Sequence, residues 1–198
     1  MRSDRQARGA LFIRHRAWAF GVALLLLLAV SWAGSAHRLD EYLQATLLDL
    51  GLDHVGIEMD LTPGVDVAAR VLEWIDVNRD GAVSTAETEA YSDLVLRGVR
   101  FEVDGRRRDV KARDTRMPQV EELKSGVGTI RIQAEVNFDP IRAGEHRFFF
   151  HTRHLTNLSV YLVNALTPES PRIKIVRQTR DAGQTEIQID CVVEKRPK

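Results

Sequence analysis

Thr129-Ile130-Arg131-Ile132-Gln133-Ala134-Glu135-Val136-Asn137-Phe138 alternates apolar with polar residues, placing Ile130, Ile132, Ala134 and Val136 on one side of an extended chain. Successive side chains of a strand point to opposite faces, so this period of two predicts a strand with one buried face. The same period recurs to either side of it. Tyr42–Leu50 and Val55–Leu61 alternate in this way across Gly51-Leu52-Asp53-His54, which reads as a hairpin. Arg100–Val103 and Val110-Lys111 flank Asp104-Gly105, a favoured hairpin turn. Arg147–His151 is apolar toward both faces, as in a strand buried between layers, and Leu158–Leu162 gives another strand. Ile173–Val176 and Thr185–Val193 form a last hairpin across Asp181-Ala182-Gly183. Met117–Gly126 is polar, with Pro118 and Glu121-Glu122, and reads as a connection.

About nine short strands separated by turn signals predict a mostly β fold, an antiparallel two-sheet sandwich of immunoglobulin-like type. The period changes once, between the second and third strands. Val67, Val71, Leu72, Trp74 and Ile75 recur at helical spacing behind Pro63-Gly64, with Asp66 as the expected N-cap. Ser84-Thr85-Ala86-Glu87 reads as a capping box that starts a second helix, with Tyr91, Leu94 and Val95 on its apolar stripe and Gly98 just past its end. No helix is expected outside this pair.

Between the helices stands Asp76-Val77-Asn78-Arg79-Asp80-Gly81-Ala82-Val83-Ser84-Thr85-Ala86-Glu87. Asp76, Asn78 and Asp80 offer side-chain oxygens at positions 1, 3 and 5, and Ala82 offers its carbonyl at 7. Ser84 stands at 9 and Glu87 at 12, with Gly81 at 6 for the sharp turn and apolar Val83 at 8. This stretch resembles the calcium loop of an EF-hand. The resemblance covers Val67–Gly98 and implies one Ca²⁺ held by Asp76, Asn78, Asp80, Ala82, Ser84 and Glu87. A hard dication takes oxygen ligands in a flexible shell, and the loop contains neither Cys nor His. EF-hands normally work in pairs that open a groove. Here there is one loop, so the ion is expected to be mainly structural or to regulate a partner surface.

Arg2, Arg5, Arg8, Arg14 and Arg16 precede an apolar run through Leu24–Leu28 and a small-residue exit at Gly34-Ser35-Ala36. That is the order of an export signal, with cleavage before His37. The mature domain is then 37–198, with the helix-loop-helix inserted at 67–98, secreted or periplasmic. The alternative is an uncleaved anchor, since Ala17–Ala36 is nearly long enough to span a bilayer. With the leader removed the chain is net acidic, which argues against nucleic acid as a partner.

Ala36-His37-Arg38-Leu39-Asp40-Glu41-Tyr42 ahead of a β-rich domain resembles the extracytoplasmic region of some bacterial nickel/cobalt permeases related to hydrogenase and urease accessory proteins. That resemblance implies a metal-handling accessory role, with a membrane permease as partner. A free amine and imidazole at His37 could chelate nickel, cobalt or copper with a second histidine from among His54, His146, His151 and His154. His151 and His154 lie at an odd offset and serve one metal together only if the chain turns at Thr152.

Gly-x-Ser-x-Gly, His-Glu-x-x-His and a glycine-rich phosphate loop are all missing, so no catalytic residue is named, and a calcium-dependent enzyme is the third alternative. Arg106-Arg107-Arg108 reads either as a solvated loop or strand face or as a patch for an anionic lipid or partner. The single cysteine, Cys191, excludes an internal disulfide and sits where a small buried apolar residue fits. Asn157-Leu158-Ser159 matches a glycosylation pattern and reads as a loop-to-strand junction.

Overall fold

The computed structural model describes residues 40–195, so the leader and His37 lie outside the described residues. Ile130–Asn137 is a strand with the burial pattern that its alternation predicts, every second residue from Ile130 to Val136 being inward. It is β6 in chain order, behind β1 (Tyr42–Leu50), β2 (His54–Pro63), β3 (Arg100–Val103), β4 (Arg106–Arg108) and β5 (Val110–Arg116). After it come β7 (Gly144–His151), β8 (Ser159–Ala165), β9 (Ile173–Arg180) and β10 (Glu186–Val193). The protein is therefore mostly β, in two five-stranded sheets of order β5-β6-β2-β1-β8 and β4-β3-β7-β10-β9.

The β1–β2 and β9–β10 hairpins stand where the turn residues predict them, as antiparallel pairs. One pairing departs from the antiparallel expectation. β8 runs parallel to β1, with Tyr42 opposite Ser159 and Leu48 opposite Ala165. The reason is a change of sheet: β7 ends in the second sheet at His151, and the chain turns through Thr152–Leu158 before entering the first sheet beside β1. Antiparallel strands can be joined by a tight turn, whereas a parallel pair needs a long connection, and here most of the chain supplies it.

Two helices interrupt the strands between β2 and β3, as the change of period predicts: α1 (Val65–Ile75) and α2 (Thr85–Arg97). α1 buries Val67, Ala68, Val71, Leu72 and Ile75. Trp74 was expected on that stripe but is 51% exposed, because it lies one residue, about 100° of helix, from Ile75. Nor is Asp66 the N-cap; Gly64 holds that place without a side-chain hydrogen bond, and Asp66 lies in the first turn. α2 buries Tyr91, Ser92, Val95 and Leu96, and its capping box is formed as expected.

Gly98 closes α2 with φ of −78°, so the left-handed terminus is not used. What favours glycine there is proximity, since a Cβ would stand a tight 3.1 Å from the Val95 carbonyl oxygen and in contact, at 3.5 Å, with the His154 nitrogen. A third helix, α3 (Val120–Lys124), corrects the reading of Met117–Gly126 as a plain connection. Its five residues bury only Val120 and Leu123, too few for a helical period to register in the sequence.

Inward residues of both sheets and both long helices belong to one hydrophobic cluster. Leu48, Ile57 and Ile132 from the first sheet join Phe101, Phe148, Phe150 and Ile187 from the second, with Val71 and Val95 from the helices. Burying each large side chain stabilises the fold by about 1.5–3 kcal/mol relative to exposure. Cys191 is part of this cluster, and burial pushes its thiol up to about 11, assisted by Asp104 and Asp190. Among the described residues, no helix is long and apolar enough to cross a membrane.

Candidate functional site

The loop from Asp76 to Glu87 joins the C-terminus of α1 to the N-terminus of α2. Gly81 has φ of 84°, in the left-handed region where a Cβ is disfavoured, so the sixth position uses the freedom that glycine gives. Arg79 is also left-handed, at φ of 60°, and its side chain is exposed, as expected for the fourth position. Val83 packs on the edge of the hydrophobic cluster and anchors the loop to the core.

The loop is folded around its own carboxylates. Asp76 Oδ1 accepts from the Asp80 N–H at 3.2 Å, and Oδ2 accepts from the Gly81 N–H at 3.0 Å. Asn78 Oδ1 accepts from the Asp80 N–H at 2.8 Å, while Asn78 Nδ2 donates to Asp80 Oδ2 at 3.0 Å. Asp80 Oδ1 accepts from the Ala82 N–H at 2.9 Å. Glu87 joins the two ends: Oε1 accepts from the Val77 N–H at 3.1 Å, and Oε2 accepts from the Ser84 N–H at 3.0 Å and hydroxyl at 2.7 Å. Hydrogen bonds from Ser84, backbone first and then side chain, hold the Glu87 carboxyl below its ordinary value, with Asn78 and Val77 contributing.

Asp76, Asn78, Asp80, Ser84 and Glu87 are thus brought into one hydrogen-bonded turn, with Ala82 on the same backbone. Their oxygens are of the hard type that Ca²⁺ prefers, and their order with Gly81 at the bend fits that ion. Among the described residues, however, no set of three or more His, Cys, Asp or Glu side chains converges in the manner of a metal centre. Each of the three carboxylates is engaged by donors of the loop itself.

The candidate histidines are not brought together. His54 Nδ1 bonds Asp53 Oδ1 at 2.8 Å on an exposed turn. His146 lies between Asp104 Oδ2 and the Arg142 carbonyl, each at 2.8 Å. Burial alone would lower the His146 value, but its hydrogen bonds to Asp104 and Arg142 and the charge of Asp104 raise it. His151 ends β7 between Arg100 and Glu186, whereas the chain turns after Thr152 and carries His154 into the interior.

At His154 the structure holds a buried polar cluster that the sequence reading missed. Tyr42 Oη and Tyr91 Oη are 2.7 Å apart, and Tyr91 Oη is 3.1 Å from His154 Nε2. The His154 carbonyl accepts from Gln44 Nε2 at 2.8 Å and from Tyr161 Oη at 2.7 Å. These bonds tie α2 to β1, β8 and the turn before β8. Burial pushes the His154 imidazole down to about 4 and raises the Tyr42 and Tyr91 hydroxyls above their ordinary values. The available signal was Gln44 and Thr46, polar residues on the inward side of β1. Buried polar groups call for partners, and these two break an otherwise apolar row.

Comparison with protein-family models and with curated proteins finds no match to the chain.

Proposed function

We propose that the chain is an exported calcium-binding protein, an immunoglobulin-like sandwich into which one EF-hand is inserted between β2 and β3. The observation that carries the reading is the order of oxygen donors from Asp76 to Glu87 around Gly81, which takes a positive φ at the sixth position. When bound, Ca²⁺ supplies positive charge at the centre of a loop that carries three carboxylates and one arginine. The chain's own residues do the rest. Asp76 begins the loop at the end of α1, Glu87 lies in the first turn of α2, and the apolar stripes of both helices hold those ends against the core. Tyr91, one turn after Glu87, then ties the second helix to β1.

In this reading the ion is mainly structural, setting how the helix pair is held and what surface it offers a partner. An affinity in the range of extracellular modules, roughly 10⁻⁴–10⁻³ M, is sufficient for that task. Calorimetric titration of the metal-stripped chain with calcium, magnesium, nickel and copper tests it, with Asp76→Ala as control. Calcium binding that disappears in the variant is the expected result. Silence with calcium and tight nickel or copper binding, lost when His37 is blocked, would replace this reading with that of a permease-associated metal accessory protein.

A further inference from the structure

β4 is the edge of the second sheet and β5 the edge of the first, so the chain crosses between sheets at Asp109. Arg107 and Arg108, the last two residues of β4, line a groove of about 700 Å³ against the C-terminal half of α2. Arg97 from the last turn of α2 and Lys111 from β5 complete its cationic lining. Asp93 and Asp109 line it too, leaving an excess of two positive charges. Among the described residues, none of the four cations makes an ion pair, whereas Arg113, further along β5, pairs with Glu135 at 3.0 Å.

A second observation comes from Arg108 itself. Its Nε is shielded from solvent and has no acceptor among the described residues. A shielded N–H without an acceptor is costly, so Arg108, itself only partly buried, gains from an acceptor that its guanidinium can turn to meet. The guanidinium fork matches two oxygens of a phosphate, and an excess of two charges matches a phosphate dianion better than a single carboxylate.

We propose that the groove between α2 and the β4–β5 crossing binds a phosphate dianion, held by Arg97, Arg107, Arg108 and Lys111. Arg108, partly buried, supplies a directional contact through its guanidinium. Arg107 and Lys111, both exposed, close over the ligand from the β4–β5 side. The site is separate from the Asp76–Glu87 loop in sequence and in chemistry, and it needs no calcium.

The test follows the arginine Nε–H resonances of the isotope-labelled full chain in calcium-free buffer. One arm adds inorganic phosphate, and the other compares vesicles of phosphatidic acid with vesicles of phosphatidylcholine. The Arg108 Nε–H signal is expected to shift saturably. Arg107→Gln/Lys111→Gln should weaken binding roughly tenfold or more, because two charge-assisted contacts are lost, while Arg113→Gln leaves it unchanged. A response to phosphatidic acid but not to free phosphate supports the site and assigns the phosphate to a lipid headgroup. No shift in either arm, or equal binding by the double variant, overturns the proposal.

Discussion

His154 is the residue at which chemistry and fold meet most closely. Its imidazole stays neutral to about pH 4 because the interior penalises its charged form, and a neutral ring lets Nε2 accept from Tyr91. The unfolded chain takes up that proton at an ordinary histidine value, near 6.5. Between those values the unfolded state binds more protons than the native state, so stability falls as pH drops through this window and levels off below it. A gap of that size corresponds to about 3 kcal/mol at most. Urea unfolding from pH 7 to pH 4 should show this loss in the parent chain, with a clearly shallower slope for His154→Gln. Equal slopes would show that His154 does not carry the effect. Nothing near His154 in sequence announces the role of its ring, since Tyr91, which bonds Nε2, and Tyr42, which bonds Tyr91, are far along the chain. Only the polar Gln44 and Thr46 inside an alternating strand hinted that a buried acceptor was waiting.

Among the elements, α2 begins at the point where the loop ends, and Ser84 and Glu87 serve both. Ser84 Oγ accepts from the Glu87 N–H at 3.2 Å while the Glu87 carboxylate returns to the Ser84 N–H, a reciprocal cap that satisfies two N–H groups of the first turn. Ser84→Ala should destabilise the fold by about 0.5–2 kcal/mol in the absence of metal, read from chemical unfolding midpoints. With calcium present the difference should change, because the two roles share the Glu87 carboxylate. An unchanged difference at saturating calcium would separate cap from loop. These elements were legible because their signals are local: alternation for β6, helical spacing for α1, and the Ser84–Glu87 box for α2. α3 was not, because five residues with two buried side chains carry no period. β4 was hidden for a related reason, as three consecutive arginines look like a loop and pair only because β3 presents its edge to them.

Across the whole molecule, two sheets leave four edges, and an open edge invites pairing with another chain. The edge at β8 is guarded from the opposite sheet. Arg180 of β9 donates through Nε to the Val163 carbonyl at 2.6 Å and through Nη2 to Asn164 Oδ1 at 2.7 Å. That guard matters because Val160 and Leu162 of β8 are exposed, at 37% and 39%. Arg180→Ala should free the Val163 carbonyl and promote concentration-dependent self-association, measured by sedimentation velocity. A variant that remains as dispersed as its parent would assign the protection of this edge to something else. The pairing of β8 with β1 was beyond the sequence, because alternation tells which residues face inward and not which strand lies alongside.

The parallel pairing of β1 and β8 also sets an order in time. Gln44 reaches Ser159 across a separation of 115 residues, so the first strand to be synthesised must wait for one of the last. Loop closure over such a distance is slow, and until it occurs β1 has one free side. A nascent chain that ends before Ser159 therefore cannot complete its first sheet, however long the ribosome pauses.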